Sequence, residues 1–474
     1  MTGFFIENFG CRAARADGEA VSAGLRSAGL DEEALHKAGL VVVNTCSVTA
    51  EADRAARAFI RRAHRRNPAA KIVVTGCYAQ RAPEELAEMA GVAAVVGNSH
   101  KALAPGIIRD LALGQTPIPA TPPAIVPVDS LLPAGNPPGA IWVDDRFAHS
   151  FIEDAHLADS VCAPGAQTRP NLKIQEGCGN RCSFCVIPFT RGPSKSLSRV
   201  AIVREVGRFV EAGGKELVLS GINLGRWGRE LASADHDTLP QLVRRILEQT
   251  GLPRLRLSSI EPMDWDDELI GLLREFGESR GGRPRLARHA HLPLQSGSDA
   301  VLRRMHRRYR PWHYAEKLTA LMRAAGPDLT VGADVMAGFP GETDREFDET
   351  LAFIRALPFG YLHLFPFSPR PGTPGWRMHA DSPVPPAVVD ERMAALRALA
   401  AEKTHAHRSR FIGRGLPAIT LNTPPALAAQ GRTAALTDNF LPVELEGRLS
   451  ANHIVQVEAT GISGDGALHA AVLT

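Results

Sequence analysis

"QEGCGNRCSFCVIP", residues 175–188, sets Cys178, Cys182 and Cys185 in the spacing C-x3-C-x2-C. A structural zinc site takes four ligands, and this loop offers three thiols with no histidine close by. A cubane iron–sulfur cluster has four irons. Three thiolates leave one of them open, and an open iron can bind a substrate. The loop follows a strand-like stretch, "NLKIQ", and precedes a helix-patterned one, "RVAIVREVGRFVEAGG". Five further strand-like stretches follow: "KELVLSG", "RLRLSSIEP", "RHAHLPLQSGS", "LTVGADVMAGFPGE" and "YLHLFPFSPRPGT", separated by helical patterns. Six such βα units predict a (βα)6 partial TIM barrel, whose site forms from loops at the strand carboxyl ends. The glycine and polar clusters all fall at such ends, at Gly221, Glu261, Gln295, Gly338 and Ser368. "FPGET" also reads as a turn followed by a helix capped by Thr343.

Upstream, three more cysteines share a context. "GFFIENFGC", "GLVVVNTC" and "KIVVTGC" are strands ending at Cys11, Cys46 and Cys77. Helix-patterned segments lie between them, so each interval is one strand–helix–strand unit. Such crossovers give parallel strands. All three thiols are therefore expected on one edge of an α/β sheet, where open sheets bind ligands.

The chain of 474 residues is too long for one core. The pattern divides it into an α/β domain (1–112), a proline-rich linker (113–168), the βα array (169–400), a charged helix and a small all-β module (412–474). The module's short strands read as an OB-like barrel. No apolar run is long enough to span a membrane and the start does not read as a signal peptide, so the expected compartment is the cytoplasm, where thiols stay reduced. Net charge is +3, and the basic clusters are "RRAHRR" (61–66) and "RRMHRRYR" (303–310).

C-x3-C-x2-C after the first strand of a βα array resembles the radical S-adenosylmethionine enzymes. "NTCSVT", "TGCYAQ", "FTRGPSKS", "LSGINLG", "SSIEP", "HLPLQSGSDAVLRRMHRRY", "DVMAGFPGET" and "FPFSPRPGTP" are similar to the methylthiotransferases among them. The likeness spans nearly the whole chain. It implies an N-terminal domain with a second [4Fe–4S] cluster, a radical domain and a C-terminal TRAM domain. The implied metal ligands are Cys11, Cys46 and Cys77 for the auxiliary cluster and Cys178, Cys182 and Cys185 for the radical cluster. S-adenosylmethionine would chelate the open iron of the latter, with Phe184, Gly221, Glu261, Gln295 and Asp334 as candidate cofactor-binding residues. One electron from that cluster would release a 5′-deoxyadenosyl radical, which removes a hydrogen from an unactivated carbon that then takes up the methylthio group. After Cys11 the chain reads "CRAARADGEA", where the family usually has an Asn–Gln-type segment.

The resemblance is greatest to the branch acting on threonylcarbamoyladenosine. Val48 and Thr49 stand where the isopentenyladenosine branch more often shows Arg–Glu–Asn. The implied reaction converts N6-threonylcarbamoyladenosine at tRNA position 37 to its 2-methylthio derivative. The implied partners are tRNA and an external one-electron donor of flavodoxin or ferredoxin type. A threonylcarbamoyl carboxylate calls for a cation, for which Arg191, Lys195, Arg307 and Arg308 are candidates. Isopentenyladenosine or a ribosomal-protein aspartate are alternative substrates, and a non-catalytic iron–sulfur or RNA-binding protein is the alternative of another class. The all-β module, with Phe440, Arg432 and Arg448, is poor in aromatic and basic residues. This places RNA contacts on the Arg-rich elements, 303–310 above all.

Overall fold

The computed structural model describes residues 3–115, 139–151, 157–162, 167–231, 237–277, 284–464 and 466–473. They form two compact units: residues 1–156 with 176–181 and 185–195, and residues 157–175 with 182–184 and 196–474.

In the first unit five parallel strands, Phe4–Asn8, Leu40–Thr45, Lys71–Gly76, Val92–Gly97 and Ala140–Trp142, lie side by side in chain order. The inner strands are near-continuous apolar runs because both faces are covered. Val41 and Val43 belong to the core containing Phe59 and Ile60 of the helix Ala50–Arg66. Val42 and Val73 belong to the opposite core, with Val21 and Leu25 of the helix Arg12–Ser27. Thr49, noted above for its place after the second cysteine, caps the first of these helices by accepting from the Ala52 amide at 3.2 Å. The fifth strand comes from the stretch read above as a linker. Trp142 is buried in the second core, so tertiary burial gives the segment a place that its weak periodicity did not announce. The most proline-rich part of that stretch, 116–138, lies outside the described residues.

In the second unit the first three βα strands, Asn171–Glu176, Glu216–Gly221 and Arg254–Leu257, pair in parallel. The last three, His289–His291, Thr330–Ala337 and Phe359–Pro366, do the same. The two triplets meet through Leu255, whose amide donates to Arg285 O at 2.7 Å and whose carbonyl accepts from Ala287 at 2.9 Å. The six strands thus make the expected open barrel. Thr343 caps the helix Asp344–Ala356 in a reciprocal box with Glu346, as "FPGET" predicts. After the long helix Pro386–Ser409, five strands close a small barrel.

That small barrel is tied to the βα strands by arginines, two of them fully buried and Arg288 half-buried. Arg256 Nη2 donates to Thr437 O at 3.1 Å. Arg288 grips Asp438 through Nε at 2.6 Å and Nη2 at 3.1 Å. Arg254 and Arg256 are fully buried, and Glu216 sits between them at 3.1 and 2.8 Å. Burial alone would raise the Glu216 carboxyl, but Arg256, Arg169 and Arg254 together outweigh it and hold the pKa at about 2. A carboxylate depressed in the folded state contributes stability above its ordinary pKa of 4.5 and loses it as pH falls towards the folded value. Glu216→Gln removes the partner of two buried cations, and we expect a loss of about 3–5 kcal/mol. Urea unfolding at pH 7 and pH 3 checks this: the gap between wild type and variant should narrow at the lower pH.

Candidate active site

The first unit brings Cys11, Cys46 and Cys77 to one edge. Thr45 and Gly76 are paired in register, and the next residue of each strand is a cysteine. Asn8 pairs with Asn44, and the chain reaches Cys11 at the N-cap of the helix Arg12–Ser27. Cys46 and Cys77 are buried, and Cys11 is exposed. Burial, reinforced by the neighbouring Cys77 and Cys11, pushes the Cys46 thiol up to about 12. A buried thiol that resists ionising on its own becomes a good ligand when a cationic metal core displaces its proton.

Gly76 makes the turn into Cys77. Its φ is +99°, and a Cβ there would lie 2.3 Å from Thr45 O.

A buried charge network stands beside this trio. Arg191 is 1% exposed. Its Nε donates to Cys77 Sγ at 3.2 Å, and its Nη1 to Asp17 Oδ2 at 3.0 Å and Glu176 Oε1 at 2.7 Å. Lys101 Nζ joins the same two carboxylates at 3.0 and 2.7 Å. Asn98 Nδ2 also reaches Cys77 Sγ, at 3.4 Å. Asp17 therefore supplies a polar anchor within "CRAARADGEA", the segment whose composition departs from the family.

The C-x3-C-x2-C loop contributes residues to each unit. In the first, the Cys178 amide donates to Gly192 O at 3.1 Å. In the second, Cys182 Sγ accepts from Arg307 Nη1 at 3.3 Å. Arg307 Nη2 meets both oxygens of Glu261, at 2.7 and 2.5 Å, and Nε reaches the Tyr309 hydroxyl at 3.2 Å.

These contacts change two expectations. Arg191 and Arg307 were candidates for a substrate carboxylate, but both are buried and already face carboxylates of this chain. Lys195 is half-buried and donates to Phe147 O, and Arg308 is exposed. Among the cofactor candidates, Glu261 holds Arg307. Gly221 closes its strand against Gln175, whose Oε1 takes the Asn223 amide at 2.7 Å. Gln295 has a left-handed φ of +65°, with its amide on Asp334 O at 2.7 Å and its carbonyl on Met336 N at 2.8 Å. Phe184 is half-buried. Asp334 lies between His291 Nε2 (3.1 Å) and His363 Nδ1 (3.3 Å). Burial would raise its carboxyl, but hydrogen bonds from both imidazoles hold it below the usual range.

Sequence reading missed Asp17, Lys101, Asn98, His291 and His363. Only Glu176, inside the quoted loop stretch, had a local signal.

The basic clusters also differ from expectation. In 303–310, Arg303 and Arg310 pair with Asp299, Arg304 with Glu346 and Arg307 with Glu261. Phe440 of the small barrel packs against His289 in a tilted pair, with ring centroids 4.4 Å apart, and lies under Arg256. Arg61, Arg62, Arg65 and Arg66 are all exposed.

Residues 3–97 match the family described as "Uncharacterized protein family UPF0004", and residues 172–354 match the Radical SAM superfamily. The chain is 34% identical over 445 residues to the threonylcarbamoyladenosine tRNA methylthiotransferase MtaB of Bacillus subtilis, covering 93% of this chain and 90% of that one. It belongs to the radical S-adenosylmethionine methylthiotransferase family. It is a transferase whose cofactors are S-adenosylmethionine and [4Fe–4S] clusters. Similarity extends to a tRNA-2-methylthio-N(6)-dimethylallyladenosine synthase of Sorangium cellulosum, 34% identical over 87% of this chain and 80% of that one. Among solved structures, a radical S-adenosylmethionine methyltransferase of Kitasatospora setae shares the fold, with TM-score 0.53 and 16% identity over 79% of this chain and 74% of that one. Among the described residues no helix is long and apolar enough to cross a membrane.

Gly76→Ala should displace Cys77, through both the left-handed backbone and the clash with Thr45 O. We expect a loss of about 2 kcal/mol or more and weakened iron retention, read by thermal melting and by iron content after anaerobic reconstitution.

Proposed function

We propose that this chain is a tRNA methylthiotransferase that converts N6-threonylcarbamoyladenosine at position 37 to its 2-methylthio form. The observation that carries the reading is two separate cysteine trios, each short of a fourth ligand. Cys178, Cys182 and Cys185 would hold the radical cluster, and Cys11, Cys46 and Cys77 the auxiliary one. The donor set fits: none of the six is in a disulfide, and each trio has a buried arginine donating to one of its sulfurs. When bound, S-adenosylmethionine and the clusters supply the radical and the sulfur. The protein's share is to hold and orient. Arg307 fixes Cys182 and Glu261 together, and Asp334 orients two imidazoles inside the radical domain. An N-terminal cluster domain that takes in the strand Ala140–Trp142, a radical domain at 169–400 and a TRAM domain at 412–474 follow the same reading.

The choice of nucleoside is supported by the threonylcarbamoyladenosine relatives and by Val48 and Thr49 after Cys46. Arg308 and Lys195 remain the cations for the substrate carboxylate. The isopentenyl reading stands second, because the Sorangium relative is equally identical. tRNA is the partner, an external flavodoxin- or ferredoxin-type protein the electron donor, and the exposed arginines of 61–66 the phosphate-binding groups.

Nucleoside analysis of tRNA from a deletion strain tests the substrate. Loss of 2-methylthio-threonylcarbamoyladenosine, restored by wild type but not by Cys178→Ala, is expected. Loss of the isopentenyl product instead would select the second reading. Iron analysis tests the clusters: about eight irons should fall to about four in the Cys178/Cys182/Cys185→Ala protein. Four falling to none would end the methylthio-transfer reading. Arg61, Arg65 and Arg66 changed together to Gln should weaken tRNA binding and lower the salt slope by about one for each phosphate left without its cation. Arg303→Gln, already paired with Asp299, should leave the slope unchanged.

A further inference from the structure

Arg191 uses only part of its hydrogen-bonding capacity on this chain. Nε is on Cys77 and Nη1 on Asp17 and Glu176. Nη2 is buried and has no hydrogen-bond partner among the described residues. A guanidinium is planar, and Nε and Nη2 share one edge of the fork. Arg288 shows that edge in use, gripping Asp438 through the same two nitrogens. One Nη2 hydrogen of Arg191 therefore points to the side on which Nε meets Cys77. A buried donor left unmatched costs about 1–3 kcal/mol, so this position calls for an acceptor.

Charge gives a second argument. Asp17 and Glu176 carry two negative charges, and Lys101 and Arg191 two positive ones, all buried and mutually paired. These four side chains sum to zero formal charge. Reducing a cluster beside it adds one negative charge, and in a site removed from water that charge is weakly screened. Changing one member of the network should therefore shift how readily the cluster is reduced, with a sign set by the charge removed.

We propose that Arg191 is a positioning residue of the auxiliary cluster: Nε–H holds the Cys77 thiolate, and the unmatched Nη2–H donates to a sulfur of the bound cluster. This rests on the assignment of Cys11, Cys46 and Cys77 to that cluster. Arg191→Met leaves one cation against two anions, so the auxiliary midpoint potential should fall. Asp17→Asn leaves two cations against one anion, so it should rise. Arg191→Lys keeps the charge but loses the fork, and should lie between wild type and Arg191→Met. A purely structural defect has no reason to move the first two in opposite directions.

The test is a potentiometric titration followed by electron paramagnetic resonance on the full-length, anaerobically reconstituted protein. The auxiliary signal is identified as the one that survives Cys178/Cys182/Cys185→Ala. Opposite shifts in Arg191→Met and Asp17→Asn are expected, with auxiliary iron lost to a chelator about tenfold faster or more in Arg191→Met. Loss of all auxiliary iron in Arg191→Met, with Arg191→Lys retaining it, is the same result in its extreme form. Shifts of the same sign, or none, in a wild type that holds two clusters would overturn this inference alone. A wild type without an auxiliary cluster would overturn the assignment beneath it as well.

Discussion

Parallel pairing in a fixed register is the constraint on which the N-terminal site depends. Thr45 lies opposite Gly76 and Asn8 opposite Asn44, so the chain leaves its strands at one edge. Cysteines more than thirty positions apart in sequence then meet without any local motif. The glycine before Cys77 is part of that constraint, since its left-handed backbone runs against Thr45 O where no side chain fits. Apolar strands packed on both faces make the register costly to shift.

The second recurring device is an arginine placed between a cysteine sulfur and carboxylates. Arg191 stands between Cys77 and the pair Asp17 and Glu176; Arg307 stands between Cys182 and Glu261. A buried guanidinium is tolerated when its charge is matched and its donors are used. The carboxylates meet the first condition and the thiols part of the second. Both arginines are therefore parts of the sites' framework rather than cations waiting for a substrate, which leaves recognition of an anionic substrate to exposed groups.

The small C-terminal barrel follows similar physics in a different role. Arg254, Arg256 and Arg288 tie its backbone and Asp438 to the βα strands, and Phe440 is packed against His289. An aromatic held this way is a docking element, not an open platform for a base. In "RRMHRRYR" four of the five arginines answer acids of this chain, whereas the arginines of "RRAHRR" stay exposed on their helix.

Much was legible in the sequence because it is local. The C-x3-C-x2-C loop, the six βα units, the cysteine after each N-terminal strand and the Thr343 cap depend on spacing and periodicity, which the chain carries within a few residues. The strand at 140–142 was not legible, because three residues have no period and Trp142 finds its place only against a core built elsewhere. Nor were Asp17, Lys101 and His363, ordinary polar residues whose significance lies in partners distant along the chain. Sequence determined which ligands exist and on which edges they lie. Tertiary structure alone decided which charges neutralise one another, since pairing in a buried site depends on distances that residue order does not encode.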